Sequence, residues 1–306
     1  MTEPSKGLLF AFTTAFMWGI LPFLLTPLFQ HAQVISIIWF RFTASFLLLM
    51  GWLRWQGALD LKGLRHLHWS VWLAGVCLSL NYYGFSYGLS LTNAASAQIL
   101  IQSGPIFFAV LSLFVFRERL KRMQWLGVLL ALLGFAIFWK DQVKHFLEAI
   151  ARYNAGLLWI AIGGVSWGIY AVLLKWANQR HPPQVVNLGI YLLSAITYAP
   201  LVRYSDFGQA GPGTYALLIS TSLNTIVAYG CLSEAVKRLS AAKVSLIICL
   251  NPLLTLFIIQ CASVAGWSLA KREQLHLGSW IGAFFVIAGA VLVVRGREEV
   301  PVAVQD

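Results

Sequence analysis

The sequence predicts an all-α integral membrane protein of ten transmembrane helices, arranged as two inverted five-helix repeats. Three observations point there. Of 306 residues, 59% are hydrophobic and only 11% charged, against about a quarter charged in a soluble domain. Apolar runs of about 20 residues, long enough to cross a bilayer, follow one another along the whole chain. The second half of the chain also repeats the first in order.

Ten runs qualify: 7–28, 33–53, 70–90, 94–116, 123–140, 155–176, 183–203, 213–235, 241–266 and 275–295. The first follows a single lysine, Lys6. It is longer than a signal-peptide core and lacks a small-residue cleavage site, so it reads as a retained helix. The second opens with "QVI" at Gln33 and carries Arg41 eight residues in. The third and fourth enclose "NYYGFSYGLSLTNAASAQILIQSGP" (81–105), the most polar stretch inside any run. The fifth begins within "RERLKRMQWLG", which starts at Arg117. The remaining five repeat this order. "GLLFAFTTAFMWGI" at Gly7 returns as "GLLWIAIGGVSWGI" at Gly156, so that Trp18 matches Trp167. "QVV" at Gln184 matches Gln33, Ala241-Ala242 before Pro252 matches Ala94-Ala95 before Pro105, and "REQLHLGSWIG" at Arg272 matches Arg117. The offset drifts only between 147 and 155 residues, so the matches mark a duplication with small insertions. The halves divide as 1–145 and 146–306. With five helices each, the second enters the membrane from the opposite side, the architecture of alternating-access carriers that bind substrate near the midplane.

The net charge of +11 is explained by topology. With the amino terminus in the cytoplasm, inside segments hold 15 Lys and Arg and outside loops 6, with Arg41 inside a run. That bias follows the positive-inside rule, puts both termini in the cytoplasm and leaves no basic surface for nucleic acid. Cys77, Cys231, Cys249 and Cys261 all fall within apolar runs and read as small apolar residues, neither disulfides nor metal ligands.

Trp-Gly in the first helix, Arg41 in the second, Ala-Ala then Pro105 in the fourth, and Arg-Glu-x-Leu before Trp-x-Gly in the fifth resemble the EamA type of the drug/metabolite transporter superfamily, in both halves. The resemblance implies a bacterial inner-membrane exporter of amino acids or other small metabolites. It also implies a central cavity lined by helices 1–4 and 6–9, with helices 5 and 10 behind, and a glutamate at position 118.

Hydrocarbon leaves a buried amide unpaired at a cost of about 1–3 kcal/mol, so Asn81, Gln98 and Gln102 must meet protein, water or substrate. Gln98 and Gln102 are four apart and are expected on one helix face, as a cavity wall or as interhelical bonding. Tyr82 and Tyr83 suit either a cavity or a membrane-interface belt. Trp18 and Trp167 are the aromatic candidates for substrate contact, with Asn187, Tyr191 and Asn224 as the second half's polar set. Arg41, Pro105 and Pro252 read as gating or structural: a charge at that depth must pair, snorkel or face water, and each proline removes a backbone donor and can bend its helix. Lys175 and Lys243 near helix ends are expected to snorkel. Gly127 with Gly134, and Gly282 with Gly289, suit close packing of helices 5 and 10.

Ten of the eleven carboxylates and five of the six histidines lie outside the runs, while Glu234 and His276 lie near the ends of theirs. With no acidic group at the midplane, a proton relay lacks its usual carrier. The expectation is an uncoupled or weakly coupled carrier without cofactor or metal, acting as a monomer and touching only its small metabolite and membrane lipid. A proton-coupled antiporter and a flippase for a lipid-linked intermediate are the alternatives within transport. An intramembrane enzyme would need a nucleophile, metal cluster or carboxylate pair, which the sequence does not offer, and a non-transporting scaffold would not need polar groups in mid-span.

Overall fold

The computed structural model describes residues 2–58, 64, 66–118, 120–148, 151–208, 210–264 and 277–295. Among these residues there is no strand. The principal helices are α1 (Glu3–Leu25), α2 (Val34–Trp55), α3 (Trp69–Leu91), α4 (Ala94–Leu100), α5 (Ser103–Val115), α6 (Arg122–Glu148), α7 (Ala151–Ala177), α8 (Pro183–Tyr198), α9 (Pro212–Arg238), α10 (Ala241–Ile248), α11 (Asn251–Val264) and α12 (Leu277–Arg295). Among the described residues, seven helical stretches are long and apolar enough to cross a membrane. Residues 272–276, which carry the start of the second Arg-Glu motif, lie outside the described residues.

Local signals start the helices. Thr2 accepts from the Ser5 amide at the head of α1, and Asn93 accepts from the Ser96 amide at 2.8 Å at the head of α4, as N-cap oxygens do. His68 caps α3 through Nδ1, which accepts from the Ser70 amide. Desolvation, then the charges of Arg180 and His181, lower the His68 pKa, which favours the neutral ring that such a cap requires.

The fourth and ninth apolar runs are each expected to be one helix, yet both are broken. α4 stops at Leu100 and α5 starts at Ser103; α10 stops at Ile248 and α11 starts at Asn251. The cause is the proline placed just beyond each break. Pro105 has no N–H for the Ile101 carbonyl, nor Pro252 for the Ile248 carbonyl. A proline is tolerated in the first turn of a helix, where its missing donor would be unused, so each one opens a new helix where the sequence suggests a bend.

Burial is inverted relative to a soluble protein. On α1 the buried positions include Gly7, Ala11, Ala15 and Gly19, while Leu9, Phe12 and Phe16 are exposed. Small residues facing inward let helices approach closely, and large ones facing outward meet lipid. Helices pair across the two halves of the chain: α3 lies along α7, α1 along α9, α2 along α8 and α6 along α12. The α6–α12 seam is where the glycines suggest it, since a Cβ on Gly134 would stand 2.6 Å from the Gly282 carbonyl oxygen.

Candidate functional site

A cavity lies in the middle of the bundle, with a wall drawn from α1, α2, α3, α4, the break between α4 and α5, α5, α7, α9, α10 and α11. Its volume is about 60 Å3, room for about four to six waters at roughly 10–15 Å3 apiece. Trp18 forms one side of an aromatic cluster, edge-on to Trp167 at 5.6 Å and to Tyr229 at 5.1 Å between ring centroids. Tyr82 stacks obliquely on Phe42 at 4.3 Å and approaches Tyr229 at 5.8 Å.

Among these apolar faces sits one charge. Arg41 is 2% exposed, and its guanidinium carbon lies 4.5 Å from the Tyr82 ring centroid. Its Nε and Nη2 donate to Thr225 Oγ1 at 3.3 and 3.1 Å, and the Tyr82 hydroxyl donates to the same oxygen at 3.2 Å. Among the described residues no carboxylate lies within ion-pair distance of Arg41.

The polar wall residues are partly committed to backbone. Pro22 within α1 cannot donate to the Trp18 carbonyl, and the Gln98 amide nitrogen does so at 3.0 Å. Gln102 does not share a helix face with Gln98: it lies in the break, where its backbone N–H turns to Ile99 and its side-chain nitrogen donates to the Gln98 carbonyl at 3.1 Å. Each amide nitrogen thus replaces a missing rung of a helix, which corrects the expectation of two amides projecting side by side. The Gln102 Oε1 and Ser86 Oγ atoms are buried without a hydrogen-bond partner. Asn251, oriented by its neighbours, donates to the Ala15 carbonyl at 2.7 Å and the Ile248 carbonyl at 3.3 Å. Asn81 donates to the Gly163 carbonyl at 3.0 Å.

Of the residues proposed from sequence, Trp18, Asn81, Tyr82, Gln98, Gln102 and Trp167 come together in the wall, with Arg41 and Pro105. The others lie elsewhere. Tyr83 stacks on Tyr87 and meets Trp159. Asn187 donates to the Tyr229 carbonyl and accepts from Ser233, Tyr191 donates to the Thr225 carbonyl, and Asn224 donates to the Met17 carbonyl. These are helix-to-helix bonds behind the wall. Pro252 is the second residue of α11, behind Asn251. Tyr229, Asn251, Ser86 and Phe85 are wall residues the sequence reading missed. For Tyr229 a signal existed: the 147-residue offset of the Ala-Ala pair carries Tyr82 onto it.

Bonds between the two halves close the bundle at both ends. At one, the Gln33 amide donates to Asp206 at 2.9 Å, and Ser96 and Tyr153 share a hydrogen bond of 2.7 Å. At the other, Glu118 accepts from the Ala241 amide at 3.0 Å and pairs with Lys175. Lys175 therefore does not snorkel: its side chain is 11% exposed, and Glu118's is 5%.

Comparison with known proteins agrees with this architecture. An uncharacterized transporter of Haemophilus influenzae is 29% identical over 300 residues, covering 98% of each chain. The uncharacterized inner membrane transporter YhbE of Escherichia coli K12 is 32% identical over 295 residues, covering 95% of this chain and 92% of its own. A protein of known crystal structure superposes with a TM-score of 0.71 at 20% identity, over 94% of this chain and 97% of its own, which speaks to the fold alone. The family model for EamA-like transporters matches residues 5–139 and 154–295. With its apolar helices packed about a central cavity, the chain is a multi-pass membrane protein and belongs to the EamA-like transporter family.

Proposed function

We propose that this protein is a secondary carrier of the bacterial inner membrane that exports small organic metabolites, amino acids and related compounds being the first class to test. The observation that carries this is the cavity, walled by both halves of the chain, with hydrogen bonds joining the halves at both ends of the bundle. Alternating access needs such ties to open in turn about one fixed site. The cross-half pairings support ten spans in two inverted repeats, 1–145 and 146–306. An exchange of the halves maps α3 with α7 onto α9 with α1, and the broken fourth run onto the broken ninth. The positive-inside bias supports cytoplasmic termini. The wall includes no carboxylate or histidine, which supports transport uncoupled or weakly coupled to protons.

The test is exchange of labelled metabolites in proteoliposomes, with and without a pH gradient, for the wild type and Gln102→Ala. That substitution removes the unpaired Oε1 from the wall. Flux without a gradient, reduced by about tenfold in the variant, a loss equivalent to one good hydrogen bond, is the expected result. Flux that requires an imposed gradient overturns the uncoupled mechanism, and no flux of any small metabolite overturns the carrier reading.

A further inference from the structure

We infer that Arg41 is an anion subsite and that the ligand of this cavity is a small monoanionic carboxylate of the 2-hydroxy-acid kind. This rests on the carrier reading and narrows it. Arg41 stands in the cavity wall, 2% exposed. A guanidinium has five N–H donors. Here Nε and Nη2 share one neutral acceptor, Thr225 Oγ1, and among the described residues nothing accepts from Nη1. A buried cation is costly unless paired and hydrogen-bonded, and the protein offers it a hydroxyl and a tyrosine face but no counter-charge.

Four of the carboxylates are committed elsewhere. Glu118 pairs with Lys175, Glu234 and Glu3 with Arg238, and Asp206 with Arg203. No acidic side chain belongs to the wall. A monoanion therefore leaves the cavity neutral. A zwitterion or a neutral solute leaves it with the full positive charge of Arg41, and a cationic solute adds a second. A carboxylate also suits the planar, bidentate geometry of guanidinium.

A second observation points to a ligand. Gln102 is 1% exposed and Ser86 fully buried, both are in the wall, and Gln102 Oε1 and Ser86 Oγ have no partner. A buried acceptor of this kind is satisfied by a ligand donor or a water. A hydroxyl beside the carboxylate supplies that donor without adding charge. Trp18, Phe85 and Trp167 leave the rest of the wall apolar, so the body of the ligand is hydrocarbon. The volume of about 60 Å3 keeps it small.

Four isosteric probes separate the charges: lactate, lactamide, alanine and alaninamide. Their binding is read from the melting temperature of the wild-type protein in lipid nanodiscs, and their transport from counterflow in proteoliposomes. Lactate is expected to bind and exchange at least about tenfold better than lactamide or alaninamide, as one charge-assisted bond pair implies, and better than alanine. Arg41→Gln is expected to abolish the preference of the wild type for lactate over lactamide. If lactamide equals lactate, or alaninamide or alanine exceeds it, the anion subsite is wrong, while the carrier reading stands on whatever does exchange. Silence towards all four probes also overturns the subsite; the carrier reading falls with it only if the wider metabolite panel is silent too. Should Arg41→Gln fail to fold, the wild-type series still decides.

Discussion

Lys175→Met is expected to destabilise the folded protein by about 3–5 kcal/mol, the cost of leaving a buried charge without its partner. Glu118 would be that charge. It is held between three elements: Ser112 Oγ in α5 donates to its Oε2 at 3.3 Å, the Ala241 amide at the head of α10 reaches both oxygens at 3.0 and 3.1 Å, and Lys175 comes from the end of α7. Lys175 also donates to the Leu239 carbonyl at 3.4 Å and lies 5.0 Å from the Phe116 ring centroid. Glu118→Gln together with Lys175→Met removes both charges and keeps most of the shape, so the double variant should recover most of the loss. The melting temperatures of the purified wild type, the two single variants and the double variant form the necessary cycle. Additive losses would mean that the two side chains are not coupled and that the tie contributes little. In the carrier reading this tie closes one end of the cavity, so variants that weaken it without unfolding the protein should shift the carrier towards opening at that end.

The helical, membrane-spanning character of the chain was legible in its apolar runs. The breaks at 101–102 and 249–250 were not. Hydropathy counts Ile101 and Leu250 as apolar whether the backbone is helical or turned, and a proline three residues into a helix looks the same as a proline at a bend. The site was half legible for a related reason. Trp18 and Gln98 stood out by symmetry or by polarity, but an amide that lines a cavity and one that bonds a neighbouring helix share the same sequence signal. Asn187 and Asn224 proved to be the second kind, meeting the Tyr229 and Met17 carbonyls. Gln98 is both, because Pro22, in another helix, frees a carbonyl that only the folded bundle brings near. Lys175 was misread because its partner Glu118 is 57 residues away, a pairing that no local pattern encodes. Tyr229 was legible only through the repeat, since the 147-residue offset of the Ala-Ala pair sets it against Tyr82.

Gly84→Val is expected to cost at least about 1–3 kcal/mol, the usual range for overpacking, and more than that if the helices cannot part. A Cβ at position 84 would stand 2.5 Å from the Trp159 carbonyl oxygen and 3.0 Å from Gly163 Cα. One turn along, a Cβ at Gly88 would meet the Gly156 carbonyl oxygen at 2.6 Å. The obstacle is backbone in both cases, so no side-chain rotation relieves it and α3 must move off α7. That seam joins the two halves of the chain beside the cavity, where the Asn81 amide bonds the Gly163 carbonyl and Ser166 bonds the Cys77 carbonyl at 2.8 Å. Separating the helices therefore strains those bonds as well as losing contact area. Gly51→Ala in α2 is the matched control: nothing lies within 4 Å of a Cβ there, so the gain in helix propensity, up to about 1 kcal/mol, should leave stability unchanged or improved. Melting temperatures of the two variants in the same detergent decide the matter. A Gly84→Val protein as stable as the wild type would mean that the α3–α7 seam is looser than the close approach of its glycines requires.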